Sequence, residues 1–208
     1  MSDALLSRSV AAGWFGKLPN VGDFVSRRLP NGFIQEWDRW LEQGLALARA
    51  EFGAAWLAGY LVAPIRRFWL APGVLGKPGW AGLMMPSVDH VGRHFPLTIV
   101  QPMETLAAAL AARDWFRSVD MLARQVLDVD FTIDDLEQGL AQIAQPDARA
   151  VDGAARQLAN RLLSAFPSGN ATVWWCDATD RANEESDFLC FDAMPPATAL
   201  VSMMAGEP

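Results

Sequence analysis

The sequence has few of the residues that enzymes commonly use for nucleophilic or metal chemistry. Its 208 residues include two histidines, two cysteines and one tyrosine. It also lacks a G-x-x-x-x-G-K-[ST] phosphate loop and a G-x-G-x-x-G dinucleotide loop. The pairs Gly16-Lys17 and Gly76-Lys77 stand without the rest of a phosphate cradle. We therefore expect no nucleotide and no other cofactor to bind.

The two histidines are poor candidates for a metal centre. His90 and His94 are four residues apart, a spacing that suits zinc when both lie on a helix. The neighbouring Gly92 and Pro96 instead predict a turn followed by a strand, so the two rings need not converge. Asp89 could supply an oxygen ligand, but a closed zinc site needs more ligands than these. We expect no metal site.

Nucleophilic catalysis has one weak candidate. Ser87, Asp89 and His90 are the residue types of a catalytic triad, but they fall within four consecutive positions. Working triads draw their members from separate segments, so that each side chain can point at the next. No G-x-S-x-G elbow is present, and both cysteines lie in apolar contexts typical of inert core residues. We expect no catalytic residue. A small hydrolase with a site around Ser87, His90 and His94 stays open as an alternative.

The charge is acidic overall and unevenly divided. The formal net charge is −7. Residues 1–100 carry ten Lys or Arg and seven Asp or Glu, a net of +3, whereas residues 101–208 carry seven and seventeen, a net of −10. An acidic second half disfavours binding to nucleic acid and to anionic lipid, both of which need clustered cations. The opposed halves either steer a protein partner or simply keep the chain soluble.

Several features predict a cytoplasmic protein. Hydrophobic residues make up 51% of the chain and charged residues 20%, the balance of a globular protein. Residues 1–8 have neither a basic region nor a long apolar run, so we expect no secretory signal. No uninterrupted apolar run reaches the ~18 residues of a membrane span, so we expect no membrane insertion. Two cysteines make no disulfide framework, and we expect both thiols to be reduced.

Hydrophobic periodicity and turn residues divide the chain into strands and helices. The predicted strands are 13–19 running into a turn, 65–70, 80–85, 94–100, 172–176 and 188–191. The predicted helices are 32–52, 54–61, 105–127, a helix from 132 that stops before 146, and a helix after 147. The predicted N-terminal caps are Asn31, Thr132 with Asp135 in a capping box, and Asp147. We expect a loop over 20–30, and a loop or a last half-helix from 195.

The order of these elements predicts an α/β fold. Strands at both ends of the chain must meet in one sheet, and the helices must cover its faces. The strands 80–85 and 94–100 are predicted to form a hairpin, and 172–176 is predicted to pair with 188–191. Antiparallel hairpins disfavour a purely parallel sheet. We therefore expect a three-layer α/β/α sandwich with a mixed, partly antiparallel sheet.

Several ordered segments form a signature over about the first hundred residues. They are GWFGKLPNVGDFV at 13–25, RRLP at 27–30, WDRWL at 37–41, YLVAP at 60–64, RF at 67–68, APG at 71–73, WAGLMMPSVD at 80–89 and VGRHFPL at 91–97. Together they resemble the TagF (ImpM) family of type VI secretion-associated proteins. The second half resembles the family loosely, chiefly at Val173-Trp174-Trp175. We expect one TagF-like domain over residues 1–208, with the signature region at about 13–100 and a more variable helical and hairpin region at about 101–200.

The resemblance implies a fold and a function. The family fold is a three-layer α/β sandwich. Its members are encoded with type VI secretion systems of Gram-negative bacteria and are thought to repress secretion post-translationally, by sequestering a forkhead-associated scaffold protein. The resemblance thus implies a non-enzymatic regulator that binds this scaffold in the cytoplasm. A structural component of the secretion machine is a further alternative, and the sequence leaves the oligomeric state open.

The polar residues of the signature are the candidate partner-binding residues. They are Lys17, Asp23, Arg27, Arg28, Asp89 and Arg93. We expect them on turns beside strand ends, where polar side chains can project from the fold. The two aspartates could equally pair with the arginines and hold loops together. Trp174 and Trp175 are adjacent, so on a strand they are predicted to face opposite ways.

Overall fold

The computed structural model of the chain describes residues 11–147, 150–176 and 188–204. The strands are β1 (Gly13–Gly16), β2 (Val25–Arg27), β3 (Arg66–Leu70), β4 (Trp80–Met85), β5 (Leu97–Pro102), β6 (Ala171–Cys176) and β7 (Phe188–Asp192). The α-helices are α1 (Asn31–Phe52), α2 (Trp56–Val62), α3 (Leu106–Ala111), α4 (Arg113–Gln125), α5 (Ile133–Gln142), α6 (Gly153–Leu163) and α7 (Ala197–Met204). The N-terminal residues that bear on a secretory signal lie outside the described ranges.

The strands form one seven-stranded sheet in the order β2-β1-β5-β4-β3-β6-β7. Both predicted pairings are present, β4 with β5 and β6 with β7. The expectation of a mixed sheet is wrong, because all the strand pairs in the described residues are antiparallel. The reason lies in α3 to α6. The chain leaves β5 at one end of the sheet's strands, passes through these four helices and re-enters at the same end, where Thr172 pairs with Leu70. Strand β6 must therefore run antiparallel to β3.

Alternate residues of the strands pack into two separate apolar clusters. On β6, Trp174 packs in the cluster that includes residues of α1 and α7, whereas Trp175 packs in the cluster that includes residues of α3 to α6. Both indoles are buried. The prediction that they face opposite ways is confirmed, and neither indole is exposed because helical residues pack in both clusters.

Helix α1 covers nearly the range that its periodicity predicts. Phe33, Trp37 and Leu41 lie one turn apart and are buried against the sheet. The indole of Trp37 donates a hydrogen bond to Oγ1 of Thr98 at 2.9 Å, which satisfies its one polar group in the core. The predicted cap is wrong by one residue. Asn31 is the first helical residue, because Pro30 has an extended backbone and occupies the cap position without a side-chain cap bond.

Two predicted helix starts have different outcomes. The capping box is confirmed, since the side chain of Thr132 accepts from the Asp135 backbone and Asp135 bonds back to Thr132. Asp147 is not the cap of α6. Asp152 occupies that position and accepts from the backbone N–H of Ala155 at 2.6 Å. Asp152 comes directly before the first helical residue, where its short carboxylate can reach the exposed N–H groups of the first turn.

Tertiary contacts change three further boundaries. The predicted helix over 105–127 is two helices, α3 and α4, which are separated at Ala112 by a non-helical ψ of 37°. The loop predicted over 20–30 contains β2, which pairs with β1. Strand β5 begins at Leu97 rather than at His94, because Pro96 has no N–H to donate to a ladder. His94 instead forms an isolated bridge with Val88.

One described segment, 31–62, meets the length and apolarity criteria for a membrane span, with a mean hydropathy of 1.2. It comprises α1, α2 and the short 3₁₀ turn Gly53–Ala55 between them. The core helix of a folded domain can meet the same criteria, and α1 packs its apolar face on the sheet. The absence of membrane insertion stays a prediction.

The central strand β4 provides a test of the sheet. A Cβ at Gly82 would clash with the backbone carbonyl oxygen of Ile99 on β5, which cannot move without breaking the ladder. We expect Gly82→Ala to lower the free energy of unfolding by about 2 kcal/mol or more. The matched control is Gly59→Ala in α2, where a Cβ meets open space. It should raise the free energy of unfolding by about 0.5–1 kcal/mol. Urea denaturation measures both, and equal effects would contradict the strand packing described.

Candidate functional site

The six candidate partner-binding residues form two groups, and Asp23 lies apart from both. Lys17, Asp89 and Arg93 come together where the end of β1 meets the connection between β4 and β5. Arg27 and Arg28 lie at the end of β2, and Arg28 contacts α5. Three of the six candidates, Lys17, Asp89 and Arg93, are therefore in contact with one another, and the other three lie outside this cluster.

The carboxylate of Asp89 is the centre of the first group. Asp89 is 3% exposed. Its Oδ2 atom accepts from Nζ of Lys17 at 2.8 Å and from Nε of Arg93 at 2.7 Å. Its Oδ1 atom accepts from the backbone N–H groups of Val91 and Arg93 at 3.1 and 2.8 Å. Each oxygen thus has two donors, and the carboxylate fixes both the turn and the end of β1.

These contacts also set the ionisation of the cluster. Burial alone would raise the pKa of Asp89, but the hydrogen bonds from Lys17 and Arg93 outweigh burial and hold this pKa well below its usual range. Lys17 is buried as well, and its ammonium lies 4.7 Å from the centroid of the Phe24 ring. A buried ammonium is tolerated here because a carboxylate and an aromatic face replace its water.

Two buried hydroxyls extend the cluster towards α2. The hydroxyl of Ser87 donates to the backbone carbonyl of Lys17 at 2.7 Å. The hydroxyl of Tyr60 donates to the carbonyl of Ser87 at 2.9 Å and accepts from its N–H at 3.0 Å. Burial raises the pKa of Tyr60, so its hydroxyl keeps the proton that it donates. The Ser87 hydroxyl proton is directed at a backbone carbonyl rather than at an imidazole, contrary to what the hydrolase alternative requires.

His94 is held between two aromatic rings of α2. Its ring centroid lies 5.8 Å from that of Trp56 and 5.5 Å from that of Tyr60, edge to face in both cases. Burial and the charge of Arg49 lower the pKa of His94, against an opposing effect of Asp89. A neutral imidazole at physiological pH follows, and its aromatic contacts give it a packing role.

His90 lies apart from that packing. It is exposed, and its ring covers Gly22 so closely that a Cβ there would collide with it. Its backbone N–H donates to the carbonyl of Val21 at 3.5 Å. Within 11–147, 150–176 and 188–204, no three His, Cys, Asp or Glu side chains are grouped closely enough to hold a metal ion.

A shallow groove of about 430 Å³ opens beside the cluster, between α1 and the β4–β5 connection. We call it the signature groove. Its lining residues are Lys17, Phe24, Glu42, Leu45, Arg49, Gly92, Arg93, His94 and Phe95. The Phe24 ring stacks on Phe15 at 5.6 Å and meets Phe95 edge to face at 4.7 Å, yet Phe24 is 41% exposed. The groove therefore combines charged walls with an accessible aromatic surface.

Arg28 belongs to a different contact. Its φ of 58° turns the chain after β2, and its guanidinium donates to the carbonyls of Ala11 and Ala12 and to the carboxylate of Glu137 on α5. The indole of Trp14 donates to the same carboxylate at 2.6 Å. The hydrogen bond from Arg28 is the main reason that the pKa of Glu137 is lowered, despite partial burial. Arg28 therefore holds α5 against the sheet.

The remaining two candidates make local contacts. Arg27 is exposed and donates to the carbonyl of Ser26 at 2.9 Å. Asp23 is exposed and accepts from the backbone N–H of Phe24 at 2.8 Å. The alternative in which an aspartate pairs with an arginine thus holds for Asp89 with Arg93. A partner-binding role for any of the six residues stays a prediction.

Sequence reasoning does not select Arg49, Glu42 or Phe24 for this site. Arg49 and Glu42 are exposed on the solvent side of α1. No local pattern shows that this side faces the β4–β5 connection, more than forty residues further along the chain.

Comparison with protein families matches residues 13–143 to the TagF N-terminal domain, described as Type VI secretion system-associated. The chain belongs to the TagF family. It is also similar to the crystal structure of PA0076 from Pseudomonas aeruginosa PAO1, with 34% sequence identity and a TM-score of 0.76. That similarity covers 95% of this chain and 96% of the other. Comparison with curated proteins gives no match. The family resemblance seen in the sequence is confirmed, and the signature groove lies within the matched TagF region.

The buried ion pair of this TagF-family chain should be costly to break. Asp89→Asn leaves the Lys17 ammonium buried without a charged partner, so we expect the free energy of unfolding to fall by about 3–5 kcal/mol at pH 7. The control is Asp114→Asn, which removes an exposed pair with Arg117. It should change stability by less than about 1 kcal/mol. Urea denaturation measures both, and a small loss for Asp89→Asn would show that the pair contributes little.

The stability difference between wild type and Asp89→Asn should also depend on pH. Since the pKa of Asp89 is lowered in the folded state, the unfolded chain binds this proton more tightly. The stabilisation is therefore complete above about pH 5 and is lost as pH falls below about 4 and through the folded-state pKa. The difference in unfolding free energy between the two proteins should therefore be smaller at about pH 3 than at pH 7. A constant difference over this range would contradict the lowered pKa.

Proposed function

We propose that this TagF-family chain is a non-enzymatic, post-translational repressor of type VI secretion that acts by binding a protein. The proposed partner is the forkhead-associated scaffold of the same secretion system. Membership of a family associated with type VI secretion supports the link to that machine. Repression follows from steric exclusion, because a scaffold that is held by this chain cannot assemble with the secretion apparatus.

The saturated hydrogen bonding of the Asp89 cluster is the observation that carries this proposal. Both carboxylate oxygens already have two donors, and the Ser87 hydroxyl already donates to a backbone carbonyl. A general base or a nucleophile needs a lone pair or a proton that can reach a substrate. A polar network that satisfies itself instead holds a rigid surface in place. This arrangement favours binding over chemistry.

We also infer that the fold is a three-layer sandwich. The support is the division of the apolar residues into two clusters, one with α1 and α7 and the other with α3 to α6. A sheet that buries both faces under helices has this packing. A cytoplasmic location, which the sequence predicts, would give the chain access to a cytoplasmic scaffold.

Co-purification from the native host tests the proposed partner. The tagged full-length chain should capture the forkhead-associated scaffold encoded in the same secretion cluster, as identified by mass spectrometry. Deletion of the gene should raise secretion without raising transcription of the cluster. If the chain captures no scaffold and deletion of the gene leaves secretion unchanged, the repressor proposal is ruled out. Fractionation with the sheath or baseplate would favour a structural component instead.

Ser87→Ala separates binding from hydrolysis in the same assay. We expect it to lose one hydrogen bond and about 1 kcal/mol of stability, while scaffold capture and repression persist. Loss of repression with scaffold capture retained would favour a hydrolase at Ser87.

A further inference from the structure

We propose that the signature groove docks an acidic, partly apolar peptide segment of the protein partner, with Arg49 and Arg93 as its cationic contacts. The inference rests on the proposed function for the existence of a partner. It adds the surface of this chain that is used and the chemistry that the partner must present.

Arg49 forms one wall of the groove from α1. Its guanidinium carbon lies 4.4 Å from the centroid of the Trp56 ring. A stacked guanidinium uses its flat face, so its N–H donors remain in the plane and available to a carboxylate. Among the described residues, no side-chain hydrogen bond or ion pair engages this guanidinium. Trp56 thus holds Arg49 in place without consuming its hydrogen-bonding capacity.

Arg93 forms the opposite wall, on the β4–β5 connection. Its side chain is 56% exposed. Its Nε donates to Asp89 at 2.7 Å, and its Nη2 donates to the carbonyl of Gly22. A guanidinium has five N–H donors, so these two bonds leave the rest of the group free for a ligand. Because Asp89 and Gly22 already fix the side chain, binding an anion costs little further conformational entropy.

The accessible apolar surface of the groove is the ring of Phe24, which is 41% exposed. Leu45 and Phe95 also line the groove, but both are buried. An aromatic ring that is open to solvent beside charged groups can pack against an apolar side chain of a peptide. The groove therefore suits a segment in which acidic and apolar residues alternate, rather than a small inorganic anion.

The charges that face the groove favour an acidic ligand by a small margin. Lys17 and Asp89 neutralise each other, and His94 is neutral at physiological pH. Arg49 and Arg93 then face a single lining carboxylate, Glu42 on α1. Asp23 is a further carboxylate close by, but it accepts from its own turn. Residues 1–100, which supply the whole lining, carry a net charge of +3 in a chain of −7.

A matched pair of labelled peptides tests the groove directly. The acidic probe is a heptapeptide of alternating Glu and Leu, and the control probe has Gln in place of every Glu. Fluorescence anisotropy should show the wild-type chain binding the acidic probe about fivefold more tightly, as exposed carboxylate–arginine pairs allow. Arg49→Glu should remove this preference. Glu42→Gln should strengthen binding of the acidic probe, because it removes the opposing carboxylate.

Arg156→Glu is the control for net charge, because Arg156 is exposed on α6 and lies outside the groove. It makes the same charge change as Arg49→Glu and should leave both affinities unchanged. Thermal unfolding of each variant checks that the fold is retained. Equal affinity of the wild type for both probes would overturn the inference. An equal loss of affinity for the acidic probe in Arg49→Glu and Arg156→Glu would also overturn it.

Scaffold capture with the same variants separates this inference from the proposed function. If the wild type captures the scaffold and Arg49→Glu does not, the repressor proposal and the groove inference both stand. If Arg49→Glu captures the scaffold as well as the wild type does, the repressor proposal stands and the groove is not its docking surface. If the wild type captures no scaffold but prefers the acidic probe through Arg49, the groove inference stands and the proposed partner is wrong.

Discussion

The buried ion pair between Lys17 and Asp89 is the interaction on which the candidate site depends. Removing two charges from water is expensive, and the pair is stable only because the remaining lone pairs of Asp89 are also satisfied. Arg93 and the turn backbone supply those donors. One carboxylate therefore joins the end of β1 to the β4–β5 connection. The same contacts position Phe24 beneath the Lys17 ammonium and direct Arg93 towards the groove.

The core and the groove are linked through α1. The inward face of this helix packs aromatic rings on the sheet, with Trp37 stacked on Trp174 at 5.9 Å. Its outward face carries Glu42 and Arg49 to the groove, and the buried Leu45 lies beneath them. Since one rigid helix has both roles, the aromatic packing of the core sets the distance between the α1 wall and the β4–β5 wall. A groove built on such elements has a fixed shape, which would lower the entropic cost of binding the proposed partner.

The function proposed for this chain is recognition of a protein rather than catalysis. Membership of the TagF family associates it with type VI secretion, and the Asp89 carboxylate and the Ser87 hydroxyl are engaged in internal hydrogen bonds. What stays available on the signature groove is two arginine edges and an exposed phenylalanine. Groups of this kind can bind a surface by charge and shape, as the proposed sequestration requires.

Local patterns in the sequence were sufficient for strand β4, the body of α1 and the capping box at Thr132, because each depends on residues within a few positions. The ordered signature was sufficient for the family. The tertiary structure decided the antiparallel sheet, strand β2 and the pairing of Arg28 with Glu137. It also placed Arg49 and Arg93 on the same groove. Arg28 and Glu137 are 109 residues apart. The energy of such contacts depends on how distant segments pack, and no short window of sequence contains that information.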